Sequence, residues 1–448
     1  MFLPDAPRPY PMPSPTARRL ALAVTLALGA AAAAAQDAAF SSSTLPVVVI
    51  DAGGREIPDE PKVMARMRVI DNGPGARNAL TDTSAYDGWV GIERRGSSSA
   101  RFPKKQYGIE TRHADGSNRD VALLGLPEEN DWVLHAPYSD KSLMRNALAF
   151  HLGRATGRYA SRTRFCELVL DGDYRGVYLL LETVKDDAAR VALADTDSLG
   201  GGYVARLDKR DAGAPTWPSR DPVTGQFVRY QFHDPEADEL TDAQRDEVEA
   251  SFDAMEAATA EGDAAPGHLD LDSFVDYVVV SEVTKNIDAY RISVYFHRPS
   301  AGAPVHAGPL WDYNLAFGNA DYGAAADPEG FQYDTPYTSA TYPIPSWLSR
   351  VVASDAFQAR ARERWAELRR GPFATDTLAA WVDATAARLD EAQRRNFERW
   401  PVLDRDVWPN AFVGGSYAAE VGHLKGWLRE RLAWLDRQWL AGPRGAPR

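Results

Sequence analysis

The chain has 448 residues, 44% of them hydrophobic, so it can bury a large core and is expected to fold into two lobes or domains. Its formal net charge of −13 argues against a general electrostatic affinity for nucleic acid or for an anionic membrane. Its single cysteine, Cys166, excludes an internal disulfide bond, and we expect this thiol to be buried as a small hydrophobic group.

The N-terminus has the pattern of an export signal. Arg18 and Arg19 precede an apolar run over residues 20–35, which ends in small residues before Gln36. The run is shorter than the roughly 20 residues that a membrane span requires, which favours a signal peptide over a membrane anchor. We therefore predict a signal peptide over residues 1–36 and an exported protein, located in the periplasm, outside the cell or at the cell surface, with no stable membrane span.

The next part of the chain is predicted to be rich in β-strands. Residues 44–112 alternate short β-branched and aromatic runs with clusters of Gly, Asp and Asn. A helix is predicted over residues 139–156, because the apolar residues there have helical spacing. Ser139 is the expected N-cap of this helix and Gly157 its expected stop.

Two further runs predict a β-hairpin. Residues 165–170 and 176–182 have strand-like composition, and they flank the sequence Asp-Gly-Asp, whose Asp-Gly pair is typical of a tight turn. Another strand is predicted over residues 202–207. The elements before residue 190 predict a sheet-rich N-terminal lobe with one helix, which covers residues 37–190. The strand over residues 202–207 belongs to the next lobe.

The remainder of the chain, residues 191–448, is predicted to form a mainly helical lobe. Apolar spacing indicates a mostly buried helix over residues 270–285. Residues 208–238 and 257–267 are predicted to be loops or insertions. Three helices with densely charged outer faces are predicted nearer the C-terminus, over residues 355–369, 375–400 and 416–439. The protein is therefore assigned to the α+β class.

Two acidic residues occupy loops that are expected to meet. Asp288 ends the sequence Asn-Ile-Asp at the exit of the helix over residues 270–285, and Asp312 lies in the segment Gly-Pro-Leu-Trp-Asp-Tyr-Asn-Leu-Ala-Phe-Gly over residues 308–318. The residues between them predict a hairpin, which would bring both carboxylates to one pocket. Such a pair suits phosphoryl transfer, in which one acid orients the attacking hydroxyl and the other holds the magnesium ion that neutralises nucleotide phosphates.

Four further motifs precede these two acidic segments in the chain. They are Glu-Arg-Arg-Gly-Ser-Ser-Ser at 93–99, Phe-Pro-Lys-Lys at 102–105, Tyr-Ser-Asp-Lys-Ser-Leu-Met-Arg-Asn at 138–146 and Tyr-Arg-Gly-Val-Tyr at 174–178. From about residue 90 to about residue 325, the chain resembles the CotH kinase family of spore-coat-type atypical protein kinases. The resemblance implies a divergent, two-lobed protein-kinase-like fold, binding of ATP with Mg²⁺ or Mn²⁺, and phosphate transfer to a serine or threonine hydroxyl of an unidentified protein.

The resemblance assigns roles to the acidic segments. Asp312 is similar to the family's metal-binding aspartate, the counterpart of the acid in the kinase Asp-Phe-Gly signature, and Asn314 is the expected second oxygen ligand. Asp288 resembles the catalytic aspartate that orients the acceptor hydroxyl. Ser293 stands five residues beyond Asp288, where protein kinases commonly use an asparagine as a metal ligand, and it is the third candidate ligand.

The resemblance also implies a set of nucleotide contacts, which are Lys105, Ser97, Ser98, Lys141, Arg145 and Glu182. Lys105 enters a strand after a Gly/Ser loop that can offer hydroxyls and N–H groups to phosphate, although a lysine at a strand edge equally serves solubility. Lys141 and Arg145 would share one face of the predicted helix near its positive end, or form a plain surface pair. Glu182 would meet the nucleotide or a lysine, or mark the exit of its strand into solvent.

Two other function classes remain open. A CotH-like protein that keeps the fold but is catalytically weak would act as a surface or secreted binding or adhesion protein. A carbohydrate-active enzyme is the other alternative, because 12 tryptophans and paired carboxylates suit sugar stacking and glycoside hydrolysis. The sequence lacks the His-Glu-x-x-His and Gly-x-Ser-x-Gly patterns, which argues against a metalloprotease or a serine hydrolase of those types.

Overall fold

The computed structural model describes residues 40–209, 215–236, 238–260, 262, 264–335 and 341–440. Almost all of the described residues belong to one compact unit, which begins at Ser43. The predicted signal peptide, residues 1–36, lies outside the described residues. Among the helices of the described segments, none is both long enough and apolar enough to cross a membrane.

Seven strands of the N-terminal part close into a barrel. The strands of this part are β1 (Ser42–Ser43), β2 (Val47–Asp51), β3 (Val63–Ile70), β4 (Asn78–Ala79), β5 (Tyr86–Arg95), β6 (Gln106–Arg112), β7 (Asp131–His135), β8 (Thr163–Leu170) and β9 (Asp173–Glu182). Strands β1 and β4 lie outside the barrel, whose order is β2-β3-β5-β6-β7-β9-β8. Neighbouring barrel strands are antiparallel, except that β2 and β8 pair in parallel and close the barrel.

The barrel interior is an apolar core to which all seven barrel strands contribute. Because successive side chains of a strand point to opposite faces, Cys166 and Leu168 of β8 join this interior, whereas Phe165 joins the core on the other side. Cys166 is fully buried, as predicted, and burial raises the pKa of its thiol to about 12. This cysteine is therefore a packing residue.

The C-terminal part combines a second sheet with helices. Its strands are β10 (Tyr203–Leu207), β11 (Thr216–Arg220), β12 (Phe227–Asp234), β13 (Val294–Arg298) and β14 (His306–Ala307), paired antiparallel in the order β11-β12-β10-β13-β14. The described α-helices are α1 (Arg145–Ala155), α2 (Asp242–Thr259), α3 (Leu271–Thr284), α4 (Ser346–Ala353), α5 (Asp355–Arg369), α6 (Thr375–Arg399) and α7 (Tyr417–Trp439), and a short 3-10 helix spans Ser98–Arg101. A sheet-rich N-terminal part and a helical C-terminal part thus confirm the α+β class.

Two sequence predictions about local structure were wrong. Helix α1 begins at Arg145 rather than near Ser139, because the Asp140 carboxylate accepts the N–H groups of Ser142 at 3.1 Å and Arg145 at 2.8 Å and holds the preceding residues in a turn. Residues 208–238, predicted to be a loop or insertion, contain strands β11 and β12 of the second sheet. A local turn held by the Asp140 carboxylate explains the first difference, and the pairing of β12 with β10 explains the second.

Lys104 is buried where the barrel meets helix α6. Its side chain is 1% exposed, and its Nζ donates to the carbonyl of Val177 at 2.5 Å and to Asn396 Oδ1 at 2.8 Å. No carboxylate pairs with it in these hydrogen bonds, and burial lowers the pKa of the ammonium to about 7. The fold therefore favours the neutral form of this lysine.

Lys104 is expected to make stability depend on pH. Its pKa is about 7 in the folded protein and about 10.5 in the unfolded chain, so the unfolded chain binds more protons between these values and stability rises with pH across this window. From pH 7 to pH 9 the gain is about 2 kcal/mol, and Lys104→Met should remove it. Urea unfolding of the wild type, of Lys104→Met and of the control Lys105→Met measures this; equal pH slopes in all three would refute the assignment.

Candidate active site

A cavity of about 510 Å³ brings together residues from both parts of the fold. Its walls come from the ends of β5 and β6, the loop after β5, the loop before β13 and the segment after β14. Five of the predicted site residues line it, namely Ser97, Ser98, Asp288, Asp312 and Asn314. The two predicted carboxylates therefore face the same space.

Asp288 is held in place at the exit of helix α3. The helix ends because Lys285 adopts a left-handed conformation with φ of 43°, and the chain then turns through Asn286 and Ile287. Arg291 Nη2 donates to Asp288 Oδ1 at 2.6 Å, and Arg291 Nε donates to the carbonyl of Ile287 at 3.1 Å. Helix, turn and arginine thus fix the direction of this carboxylate.

Asp312 lies in a loop that is tied to the rest of the site by backbone contacts. Its φ of 58° is left-handed, a conformation that aspartate tolerates better than most residues and that is enriched at functional sites. Asn146 Oδ1 of helix α1 accepts the N–H of Tyr313 at 2.7 Å, and Asn286 Nδ2 donates to the carbonyl of Asp312 at 3.3 Å. Asn286 therefore connects the Asp288 loop to the Asp312 loop.

Burial and negative charge both act on the two carboxylates. Asp312 is open to the cavity but enclosed by its walls, and this desolvation, together with the charges of Asp288 and Asp208, raises its pKa to about 6. The pKa of Asp288 is raised by burial, against the opposing effect of Arg291 and Lys209. Because Asp288 and Asp312 are close enough to perturb each other, a cation between them would relieve their repulsion.

The oxygen donors in the cavity fit a hard divalent cation. Asp312, Asp288 and Asn314 offer carboxylate and amide oxygens, which Mg²⁺ prefers. In the segments that the structure describes, no group of three or more His, Cys, Asp or Glu could hold a metal ion by itself. This donor set suits an ion that is shared between one or two carboxylates and substrate phosphates, which is the usual way that proteins bind Mg²⁺.

Asp208 is an acidic residue near the site that the sequence did not single out. It follows strand β10, and its Oδ1 accepts the N–H of Lys209 at 2.8 Å and lies 3.4 Å from Ser293 Oγ. Burial raises its pKa, and its charge raises the pKa of both Asp288 and Asp312. Ser293, predicted as a metal ligand, contacts Asp208 and is not among the residues that line the cavity.

Two cationic side chains line the cavity beside the Ser97–Ser98 loop. Lys209 Nζ donates to Ser98 Oγ at 3.2 Å, and the guanidinium of Arg95 lies 5.5 Å from the ring centroid of Trp311. The sequence assigned no role to either side chain or to Asp208, although Arg95 lies in the quoted motif over residues 93–99. Each of the three residues lies at or just beyond the end of a predicted strand, where polar residues often belong to a functional site. That position is the feature of the sequence that could have indicated them.

Four predicted nucleotide contacts lie outside the residues that line the cavity. Lys105 Nζ donates to the carbonyl of Ala100 at 2.7 Å. Lys141 is buried and donates to the carbonyl of Arg405 at 2.6 Å. Arg145 pairs with Asp140 at 2.6 Å, and the fully buried Glu182 pairs with Arg162 at 2.7 Å. These side chains contact other parts of the protein, and α1 begins too late for Lys141 to share its face with Arg145.

Asn146→Leu is expected to weaken Mn²⁺ binding in the presence of ATP by about tenfold or more. The substitution leaves the buried N–H of Tyr313 without its acceptor, which costs about 1–3 kcal/mol and frees the Asp312 loop. Asn396→Leu is the matched control, because Asn396 Oδ1 accepts the N–H of Val177 at 3.1 Å, away from the cavity. Mn²⁺ titration followed by electron paramagnetic resonance measures the effect; equal metal affinity in both variants would rule out a positioning role for Asn146.

Comparison with known proteins identifies the family of this chain. The family described as CotH kinase protein matches residues 92–435. Inner spore coat protein H of Bacillus subtilis (strain 168) is 24% identical over 235 residues, which are 52% of this chain and 60% of that relative, so the chain spans less than two thirds of the relative's length. The family match covers most of the chain and includes both acidic loops. The protein belongs to the CotH kinase family.

Proposed function

We propose that this protein is an atypical protein kinase that transfers the γ-phosphate of ATP to a serine or threonine hydroxyl of another protein. The observation that carries the proposal is that Asp288 and Asp312, from loops on either side of the β13–β14 hairpin, line one cavity of about 510 Å³. A cavity of this size is typical of small-molecule and cofactor sites. Membership of the CotH kinase family supports the same class of reaction.

Asp312 and Asn314 are proposed to hold Mg²⁺ or Mn²⁺. Both line the cavity, and the fit of their oxygen donors supports this role. When bound, such a cation neutralises negative charge on the transferring phosphoryl group. Asp208, outside the cavity lining, would add negative charge that favours the cation, and Ser293 would orient Asp208 through their contact at 3.4 Å.

Asp288 is proposed to receive the acceptor hydroxyl. Its carboxylate is a hydrogen-bond acceptor, and the contact with Arg291 at 2.6 Å holds one oxygen while the other stays available. Burial raises the pKa of Asp288, which makes the carboxylate a better proton acceptor than an exposed one. Asp288 would therefore orient the hydroxyl and take its proton during transfer.

Arg95, Lys209 and the hydroxyls of Ser97 and Ser98 are proposed to contact the nucleotide phosphates. They line the same cavity as the two aspartates and supply positive charge and hydrogen-bond donors. In this proposal the barrel would form one lobe of a kinase-like cleft and the helical part would form the other. In this cleft Lys209 takes the role that the sequence suggested for Lys105.

Lys209→Met is therefore expected to raise the KM for ATP by about tenfold or more, whereas Lys105→Met should leave it within about twofold. The loss corresponds to one charge-assisted hydrogen bond to phosphate, which contributes about 1.5–3 kcal/mol. Steady-state kinetics with varied ATP measures both variants. The assignment is wrong if Lys105→Met has the larger effect, or if neither variant changes the KM.

The proposed location is outside the cytoplasm. The relative from Bacillus subtilis is named as an inner spore coat protein, which suggests a surface or extracellular setting, and the N-terminal pattern over residues 1–36 suggests export. The proposed partners are ATP, a divalent cation and an acceptor protein. Its acidity, with a formal net charge of −13, would favour an acceptor with basic segments.

The direct assay is transfer of label from γ-labelled ATP to the protein itself or to casein, with Mg²⁺ or Mn²⁺. The proposal expects labelled phosphoserine or phosphothreonine, and loss of at least about 100-fold in rate in Asp288→Asn. An unlabelled but folded protein that captures a partner would indicate the binding or adhesion class. Hydrolysis of a glycoside without any effect of nucleotide on the melting temperature would indicate the carbohydrate-active class.

A further inference from the structure

A second cavity, of about 300 Å³, is lined in part by the β13–β14 hairpin and shares no lining residue with the candidate active site. Its walls include the side chains of two histidines, His297 and His306, together with residues of helix α3 and of the segment after helix α1. The proposed kinase reaction uses none of these residues. Any ligand of this cavity would therefore be bound independently of the proposed kinase reaction.

The two histidines form a cross-strand pair. His297 of β13 is paired in register with His306 of β14, so their side chains leave the same face of the hairpin. The ring centroids lie 5.1 Å apart, with an interplanar angle of 26°. Both imidazoles are only partly buried and border the same cavity.

Each imidazole is oriented through its Nδ1 atom. His297 Nδ1 lies 3.0 Å from the carbonyl oxygen of Gly308, and His306 Nδ1 lies 3.5 Å from Asp270 Oδ1. A carbonyl oxygen or a carboxylate accepts hydrogen bonds, so both contacts favour the proton on Nδ1 and leave the lone pair on Nε2. Histidines that bind metals in proteins are commonly oriented in this way, with the second ring nitrogen bonded to a carboxylate or a backbone carbonyl.

The charge around the pair is nearly balanced. Arg158 donates to Asp276 at 2.7 Å and lies 3.3 Å from Asp270, and Arg364 donates to the other oxygen of Asp276 at 2.7 Å. Burial and the nearby Arg158 lower the pKa of His306, and burial lowers the pKa of His297 to about 4. Both rings are therefore neutral at pH 7, which is the form that binds metals.

We propose that His297 and His306 form a two-imidazole site for a divalent transition metal of the copper or zinc type. Imidazole nitrogen suits Cu²⁺, Zn²⁺ and Ni²⁺, whereas Mg²⁺ requires oxygen ligands, so this site is chemically distinct from the carboxylates of the first cavity. Within the described segments no third His, Cys, Asp or Glu completes a protein-only cage. Water or a small ligand in the cavity fills the remaining coordination positions, as at metal sites that keep open positions.

The test uses the full chain without an affinity tag and Cu²⁺ as the probe. Electron paramagnetic resonance at one equivalent of Cu²⁺ is expected to show two nitrogen donors. His306→Gln and His297→Gln should each reduce the donors to one and weaken binding by about tenfold or more, because loss of a ligand costs at least as much as the 10–100-fold loss seen for outer-shell partners. His113→Gln, which removes a single exposed histidine elsewhere, should bind as the wild type does.

The outcomes separate this site from the proposed kinase site. Asp312→Asn should keep the two-nitrogen signal, because that residue lies in the other cavity. Circular dichroism melting identifies any variant that fails to fold. If His297→Gln fails to fold, the metal affinity of His306→Gln, at the more open of the two positions, decides the test. The proposal is overturned if a folded His306→Gln protein retains wild-type affinity, or if His113→Gln removes the signal.

Discussion

Asp312→Asn is expected to abolish the stabilisation of the protein by ATP plus Mn²⁺ and to lower phosphate transfer by about 10²–10³-fold. Asparagine fits the left-handed φ of 58° at this position, so the fold should survive. At a ligand concentration of 100 times the Kd, the wild type gains about 2.7 kcal/mol, which corresponds to a shift of several degrees in Tm. The variant should show no such shift, because it lacks the charge that holds the cation.

Without ligand, Asp312→Asn should not lower the Tm of the protein. Asp288 and Asp208 raise the pKa of Asp312 by repulsion, so removing its charge should leave the Tm equal to or slightly above that of the wild type. Asp321→Asn is the matched control, because Asp321 also lines the cavity but belongs to neither acidic loop. The account fails if Asp321→Asn loses the ligand-induced shift as completely as Asp312→Asn, or if Asp312→Asn keeps it.

Arg431→Ala is expected to destabilise the protein by about 3–5 kcal/mol, because it leaves a buried carboxylate without its partner. Arg431 of helix α7 and Glu282 of helix α3 form an ion pair at 2.9 Å, and neither side chain is exposed. The guanidinium also donates to the carbonyls of Glu282, Pro328 and Gly330. These contacts attach α7 to the helix that delivers Asp288 to the cavity.

Urea unfolding measures the effect of Arg431→Ala against two comparison variants. Arg437→Ala breaks the ion pair between Arg437 and Glu329, whose side chains are 52% and 60% exposed, respectively. It should lower the free energy of unfolding by less than about 1 kcal/mol. The double variant Glu282→Gln with Arg431→Met removes both buried charges and should recover part of the loss. Equal losses for Arg431→Ala and Arg437→Ala would contradict the importance of the buried pair.

Local elements with strong signals were predictable from the sequence. The Asp171-Gly172 pair forms the turn of the β8–β9 hairpin with φ values of 49° and 79°, the left-handed conformation that this dipeptide favours. Helix α3 was predicted to within one residue at each end, because Asp270 caps it and Lys285 ends it. In these places the determining contacts are close in sequence.

Features that depend on long-range contacts were not predictable. The barrel closes through the parallel pairing of β2 with β8, which lie more than a hundred residues apart, and no local pattern announces that pairing. Strand β12, in a segment predicted to be a loop, is likewise fixed by its pairing with β10 in the second sheet. Residues before and after such contacts follow the tertiary structure rather than their own propensities.

Some residues of the candidate site were predictable from the sequence and others were not. The motif around Asp288 and Asp312 identified two acids that the fold brings to one cavity. The cationic partner was harder to predict, because Lys105 lies in the motif but its ammonium donates to the carbonyl of Ala100. Lys209, which follows strand β10, lines the cavity instead. The quoted motifs therefore contain Asp288, Asp312 and Arg95, whereas Asp208 and Lys209 follow strand β10 and lie in no motif.

Crystals grown with Mn²⁺ and a non-hydrolysable ATP analogue test the central claim most directly. Anomalous scattering is expected to place a Mn²⁺ ion in the first cavity about 2.1 Å from a carboxylate oxygen of Asp312, with the analogue's phosphates beside Arg95 and Lys209 and the Asp288 carboxylate facing the terminal phosphate. Manganese bound elsewhere, or a nucleotide outside this cavity, would contradict the account.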